Sequence, residues 1–166
     1  LIKQNKIGNA TVGNGAWLII EADESDGSIV QYKPEIGILL NVDKDHKDLP
    51  ELMQLFEQFK NNSKNFLVNQ SNKFAATLSQ NIQHNFSSDE NSNAGFVIKS
   101  FQQQGFEISF NVNQAQFKLN APGNHHAENA LAAIAAANFI GIDLKTCSDR
   151  KQIVKGPRVE HGGRRI

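Results

Sequence analysis

A single cysteine, Cys147, excludes an internal disulfide framework in this chain of 166 residues and is compatible with a reducing compartment. Excess charge is missing as well. Lys plus Arg and Asp plus Glu each number 17, so nothing in the balance suggests nucleic acid or an anionic membrane as a partner. No apolar run reaches the length that crosses a bilayer, and no segment has the layout of a secretory leader. The expected setting is therefore cytoplasmic, with no membrane partner. Tyr and Trp occur once each, against 11 Phe, so the aromatic content is almost wholly apolar. The length suits one domain with a real core.

What the chain does have is short apolar runs that end in charge. Ala16-Trp17-Leu18-Ile19-Ile20 leads directly into Glu21, Asp23, Glu24 and Asp26. A short apolar run closed by a polar cluster predicts a buried strand. Ligands of open α/β sheets gather at the carboxyl ends of such strands. A second run, Ile36-Gly37-Ile38-Leu39-Leu40, leads into Asp43, Asp45 and His46. If the two strands lie side by side, Glu21 and His46 reach one cation, with carboxylate oxygen suited to magnesium and imidazole as an added ligand. The competing reading is two solvated acidic loops, one of them capping a helix.

The remaining chain alternates in kind. Asp48 with Glu51 forms a capping-box pattern ahead of Leu52, Leu55, Phe56 and Phe59, an apolar helical face. Asn65-Phe66-Leu67-Val68-Asn69 predicts a third strand. Residues 70–83 suggest a weak helix around Phe74 and Leu78, and residues 84–94 a loop with His84 on the surface. Phe96, Ile98, Phe106, Ile108, Phe110, Val112, Phe117 and Leu119 then alternate with polar residues, which predicts antiparallel strands joined by turns at 102–105 and 113–114. An Ala-rich helix follows Gly123-Asn124-His125-His126 and ends near Gly141. Its first turn, with His125 and Asn129, stands at the positive end of the helix dipole, where an anion is favoured; the alternative is that both residues only cap and solvate the helix. A last helix over 144–154 turns Cys147 inward as a small core residue. The tail carries Arg158, Arg164 and Arg165, either as phosphate ligands or as solvated charge. The predicted class is α/β: a mainly parallel sheet flanked by helices, with a small antiparallel sheet.

Three motifs in order resemble the central domain of the Mur ligases. They are Glu21-Ala22-Asp23-Glu24-Ser25-Asp26-Gly27-Ser28, then Asn41-Val42 with Asp45-His46, then Gly123-x-His125-x-x-x-Asn129-Ala130-Leu131. The acidic motif is most similar to the alanine-adding branch. The resemblance implies an ATP-dependent acid–amino-acid ligase of peptidoglycan precursor synthesis, joining L-alanine to UDP-N-acetylmuramate through an acyl phosphate. It implies ATP and Mg2+ as cofactors, Glu21 and His46 at magnesium, His125 and Asn129 at the adenine side of ATP, and Arg158 at its phosphates. Arg164 and Arg165 are rivals for the last role, because the spacing before Arg158 is shorter than the family pattern. The family's phosphate loop, ending Gly-Lys-Thr, does not occur in these residues. The expectation is a central-domain fragment over 1–166, without that loop or the flanking domains, and inactive by itself. A sibling ligase adding another amino acid or a tripeptide, and a non-catalytic nucleotide- or metal-binding paralogue, are the alternatives.

Overall fold

The computed structural model describes residues 14–43 and 48–149. Two parallel strands, β1 (Ile36–Leu39) and β2 (Asn65–Val68), pair in register from Ile36 with Asn65 to Leu39 with Val68. The crossover between them is α1 (Leu49–Asn62). Leu52, Phe56 and Phe59 recur at helical spacing and are all buried. Asp48 holds the cap position through its carbonyl, which accepts from Leu52 N at 3.1 Å, while its side chain makes no cap bond. The Asp48 side-chain half of the expected capping box is therefore not formed, and Pro50 occupies the first turn, where a missing N–H costs nothing.

After β2 come α2 (Lys73–Thr77), capped by Asn72, and a short 3₁₀ turn over Ile82–His84. Strand β3 (Phe86–Ser87) lies inside the stretch expected to be loop. It pairs parallel with β4 (Phe96–Gln104), which runs antiparallel to β5 (Glu107–Val112), itself antiparallel to β6 (Ala115–Leu119). A parallel bridge between Asn69 and Phe86 joins the two sheets edge to edge. Buried Asn85 completes the seam: its Oδ1 accepts from Val68 N at 3.0 Å and its Nδ2 donates to Ser79 Oγ at 2.6 Å.

Helices α3 (Asn124–Phe139) and α4 (Leu144–Asp149) cover one side of this surface. One core joins Leu67, Ile108, Phe110, Phe117 and the α3 residues Ala127, Leu131 and Ala135. A second joins Phe66, Val68, Leu52, Phe56 and Ile29. Alternate β2 residues therefore enter opposite cores, which explains an unbroken apolar strand. Cys147 is buried at 6% exposure, as its apolar setting predicted.

Four expectations need correction. The run before Glu21 forms no strand: Trp17, Leu18, Ile19 and Ile20 are 52, 82, 93 and 51% exposed. Hydropathy shows that such a run suits burial but supplies no ladder partner, and none is found among the described residues. Phe106 lies in the tight turn after Gly105 and is 78% exposed, so it does not continue the inward alternation. The turn falls at Gly105, with φ of 60°, and Gln102 to Gln104 remain in β4. His84 is half-buried and meets Phe139 edge-on, with ring centroids 4.9 Å apart.

Gly95 marks a close crossing. Its N–H donates to Ile82 O at 3.0 Å, and a Cβ there would lie 1.8 Å from the carbonyl oxygen of Gln83. Because backbone rather than a flexible side chain blocks that space, Gly95→Ala is expected to destabilise the chain by about 1–3 kcal/mol. Urea unfolding should show a lower midpoint at unchanged slope.

Candidate functional site

The carboxyl ends of the parallel strands lie along one edge, and the start of α3 meets them there. β1 runs out into Asn41 and Asp43, β2 into Asn69, Gln70 and Ser71, and β3 into Ser88 and Asp89. Ser71 Oγ gathers the last two ends: it accepts from Ser88 N at 2.7 Å and Asp89 N at 3.1 Å, and pairs with Ser87 Oγ at 2.8 Å. Ser88 Oγ donates to Glu128 Oε1, just past the first turn of α3. Gln70 Nε2 is buried with no hydrogen-bond partner, an orphaned donor at the same edge.

The α3 start has no side-chain cap, so its first amides retain their affinity for an anion. Gly123 enters the helix at φ 94°, a conformation side chains avoid, and a Cβ there would come within 3.0 Å of the His125 ring. His125 tilts against His126 with centroids 4.1 Å apart. His125 and Asn129 are both exposed and stand one helical turn apart, hence on one face. These two sequence-predicted residues are brought together. Gln70, Ser71, Ser88 and Glu128 were missed; the polar run Asn69-Gln70-Ser71-Asn72 directly after an apolar strand was the available signal.

The acidic motif folds locally. Asp23 Oδ1 accepts from Ser25 N at 2.8 Å, Asp26 Oδ1 accepts from Ser28 N at 2.8 Å, and Gly27 N donates to Glu24 O at 3.0 Å. The Ser25 hydroxyl and amide hold the Asp23 carboxyl below its ordinary value. Those two aspartates are engaged as turn formers, whereas Glu21 is exposed. Among the described residues no three His, Cys, Asp or Glu side chains form a group able to hold a metal. Magnesium commonly takes one or two carboxylates and completes its octahedron with water and substrate phosphates, and an exposed carboxylate such as Glu21 is of the type that mode uses. The expected convergence of Glu21 with His46 and Asp45, and the roles of Arg158, Arg164 and Arg165, lie outside the described residues.

Crossover-connected parallel strands with an uncapped helix start at their carboxyl edge make this an open α/β domain of the ligand-binding kind. The profile of the Mur ligase middle domain matches residues 4–137, and the chain belongs to that family. The chain is 36% identical over 143 residues to a UDP-N-acetylmuramate–L-alanine ligase of Synechococcus sp., covering 80% of this chain and 29% of that one. Against the same-named enzyme of Acaryochloris marina it is 27% identical over 165 residues, covering 91% and 34%. It thus spans about a third of the length of the curated relatives it matches. Among solved structures, UDP-N-acetylmuramate-alanine ligase of Thermotoga maritima superposes with a TM-score of 0.63 at 20% identity, over 74% of this chain and 30% of that one. MurF of Acinetobacter baumannii gives 0.64 at 16%, over 79% and 31%. These likenesses show a shared fold.

Proposed function

We propose that residues 1–166 are the ATP- and magnesium-binding middle portion of a ligase that joins L-alanine to UDP-N-acetylmuramate. The observation that carries this reading is the uncapped α3 start, with His125 and Asn129 exposed on one face beside the strands' carboxyl ends. In such a reaction the muramate carboxylate takes the terminal phosphoryl group of ATP and releases ADP. The amine then attacks the acyl carbon and forms the C–N bond as it gives up a proton; the acyl C–O bond breaks, and phosphate leaves with the former carboxylate oxygen. Magnesium, when bound, neutralises charge developing on the phosphates.

The chain's own residues divide the work. Asn129 offers an amide that can both donate to and accept from an adenine edge, and His125 flanks it. The first amides of α3 favour negative charge nearby. Glu21 supplies one metal carboxylate, His46 an imidazole ligand and Arg158 a cation for the phosphates. The isolated chain is expected to be inactive, since no Gly-Lys-Thr loop occurs in it. The shared fold with MurF and the diaminopimelate-adding enzyme supports a sibling ligase as the second reading.

The test is phosphate release by the full-length polypeptide that carries these residues. Release should require ATP, UDP-N-acetylmuramate and L-alanine together, and Asn129→Ala should raise KM for ATP roughly tenfold, the worth of one well-placed polar contact. Release with a different amino acid would favour the sibling. No release with any muramyl nucleotide would leave a non-catalytic binding module.

A further inference from the structure

We infer that Gln103 is a positioning residue for the nucleotide site, acting through the backbone of Gly123; the inference rests on the reading of the α3 start just given. Gln103 Oε1 accepts from Gly123 N at 3.1 Å, and its Nε2 donates to Gly105 O at 3.2 Å. One side chain therefore ties the β4–β5 turn to the residue that launches α3. Gly123 is followed within the first turns by His125 and Asn129, so its orientation sets theirs.

A bulge makes this contact possible. Phe96 and Ile98 face the core, with Ile98 opposite buried Val112. Continued alternation would bring Ser100, Gln102 and Gln104 inward. Instead the register shifts between Lys99 and Gln102, Ser100 takes φ of 52°, and Gln103 comes opposite buried Ile108. Phe101 packs against the core in the new parity. Bulges re-aim side chains in this way and recur beside functional sites. A left-handed serine is unfavourable and persists only where its surroundings hold it. Here Glu90 does so: its Oε1 accepts from Ser100 N at 3.1 Å, and its carbonyl accepts from Lys99 Nζ.

The order is thus Glu90, bulge, Gln103, Gly123, and then the face bearing His125 and Asn129. On the other flank Ser88 holds Glu128. The helix start is fixed at two points, neither of which is a cap of its own. The polar Gln103, sharing the face of Ile108 at the end of a strand, has its place because of this bond.

The test compares steady-state kinetics of three variants in the full-length polypeptide. Gln103→Met keeps length and removes the acceptor. It should raise KM for ATP roughly fivefold, the worth of one ordinary hydrogen bond, with kcat changed less than about twofold. Gln103→Glu keeps an acceptor oxygen and should recover most of that loss. Thermal midpoints should match the parent, because Gln103 is exposed. Asn129→Ala is the reference for the site itself. If Asn129→Ala raises KM and Gln103→Met does not, the positioning role is overturned and the nucleotide site stands. If Gln103→Met lowers only the thermal midpoint, the contact is structural and the inference fails. If neither variant changes KM, the reading of the α3 start falls and takes this inference with it.

Discussion

Phe110→Ala is expected to cost about 3–5 kcal/mol of folding stability, a large share of the roughly 5–15 kcal/mol available to a domain of this kind. Phe110 is 1% exposed in the middle of β5. Its ring stacks on Phe117 with centroids 5.7 Å apart and planes 16° from parallel. The facing surface of α3 contributes Ala127, Ala130 and Ala135, whose short side chains let helix and sheet approach closely. Those alanines have no length with which to refill the space. The cavity term is therefore added in full to the lost transfer energy. Guanidinium unfolding checks this; a loss under about 1 kcal/mol would mean that the sheet and α3 are not packed as described. Because α3 carries His125 and Asn129, the same variant should weaken nucleotide binding only as far as it unfolds the chain.

Glu21→Gln should lower turnover of the full-length polypeptide by about 100-fold or more, as removal of a charge-stabilising group in phosphoryl transfer does. The substitution keeps shape and removes charge. Glu21 is exposed, so stability should hardly move. The informative comparison is its neighbour. Asp23 accepts from the Ser25 amide in a turn, and Asp23→Asn retains an acceptor for that bond. Asp23→Asn should therefore leave turnover within about threefold, a surface-level effect. The lost rate in Glu21→Gln should be recovered in part by raised magnesium, and chelation should silence the parent enzyme. Equal losses in both variants would show that the acidic motif works as a diffuse charge cluster, with no privileged ligand.

Legibility in the sequence followed the physics of each element. β2, α1 and α3 were readable because their partners are local or generic: an apolar helical stripe packs on any sheet, and alanines suit a close approach. The antiparallel strands were readable from period two, but the bulge at Ser100 was not, since a one-residue shift leaves composition unchanged. Phe106 misled for the same reason, as alternation does not know where a turn falls. β3 was invisible at two residues. The run Trp17 to Ile20 shows the limit most clearly. Its hydropathy announced burial, and its exposure in the structure shows that burial needs a partner which hydropathy cannot name. At the candidate site, the shared exposed face of His125 and Asn129 was legible from a helix start. Gln70 and Gln103 were not, because amides carry no motif and gain meaning only from what lies across from them.

The central claim is that an adenine nucleotide lies against the start of α3. An azido-adenine analogue of ATP, irradiated with the full-length polypeptide and magnesium, reports it directly. Peptide mass spectrometry should place the label within residues 121–130, and excess ATP should abolish it. Label that persists under excess ATP, or that falls only on peptides away from this segment, would contradict the account.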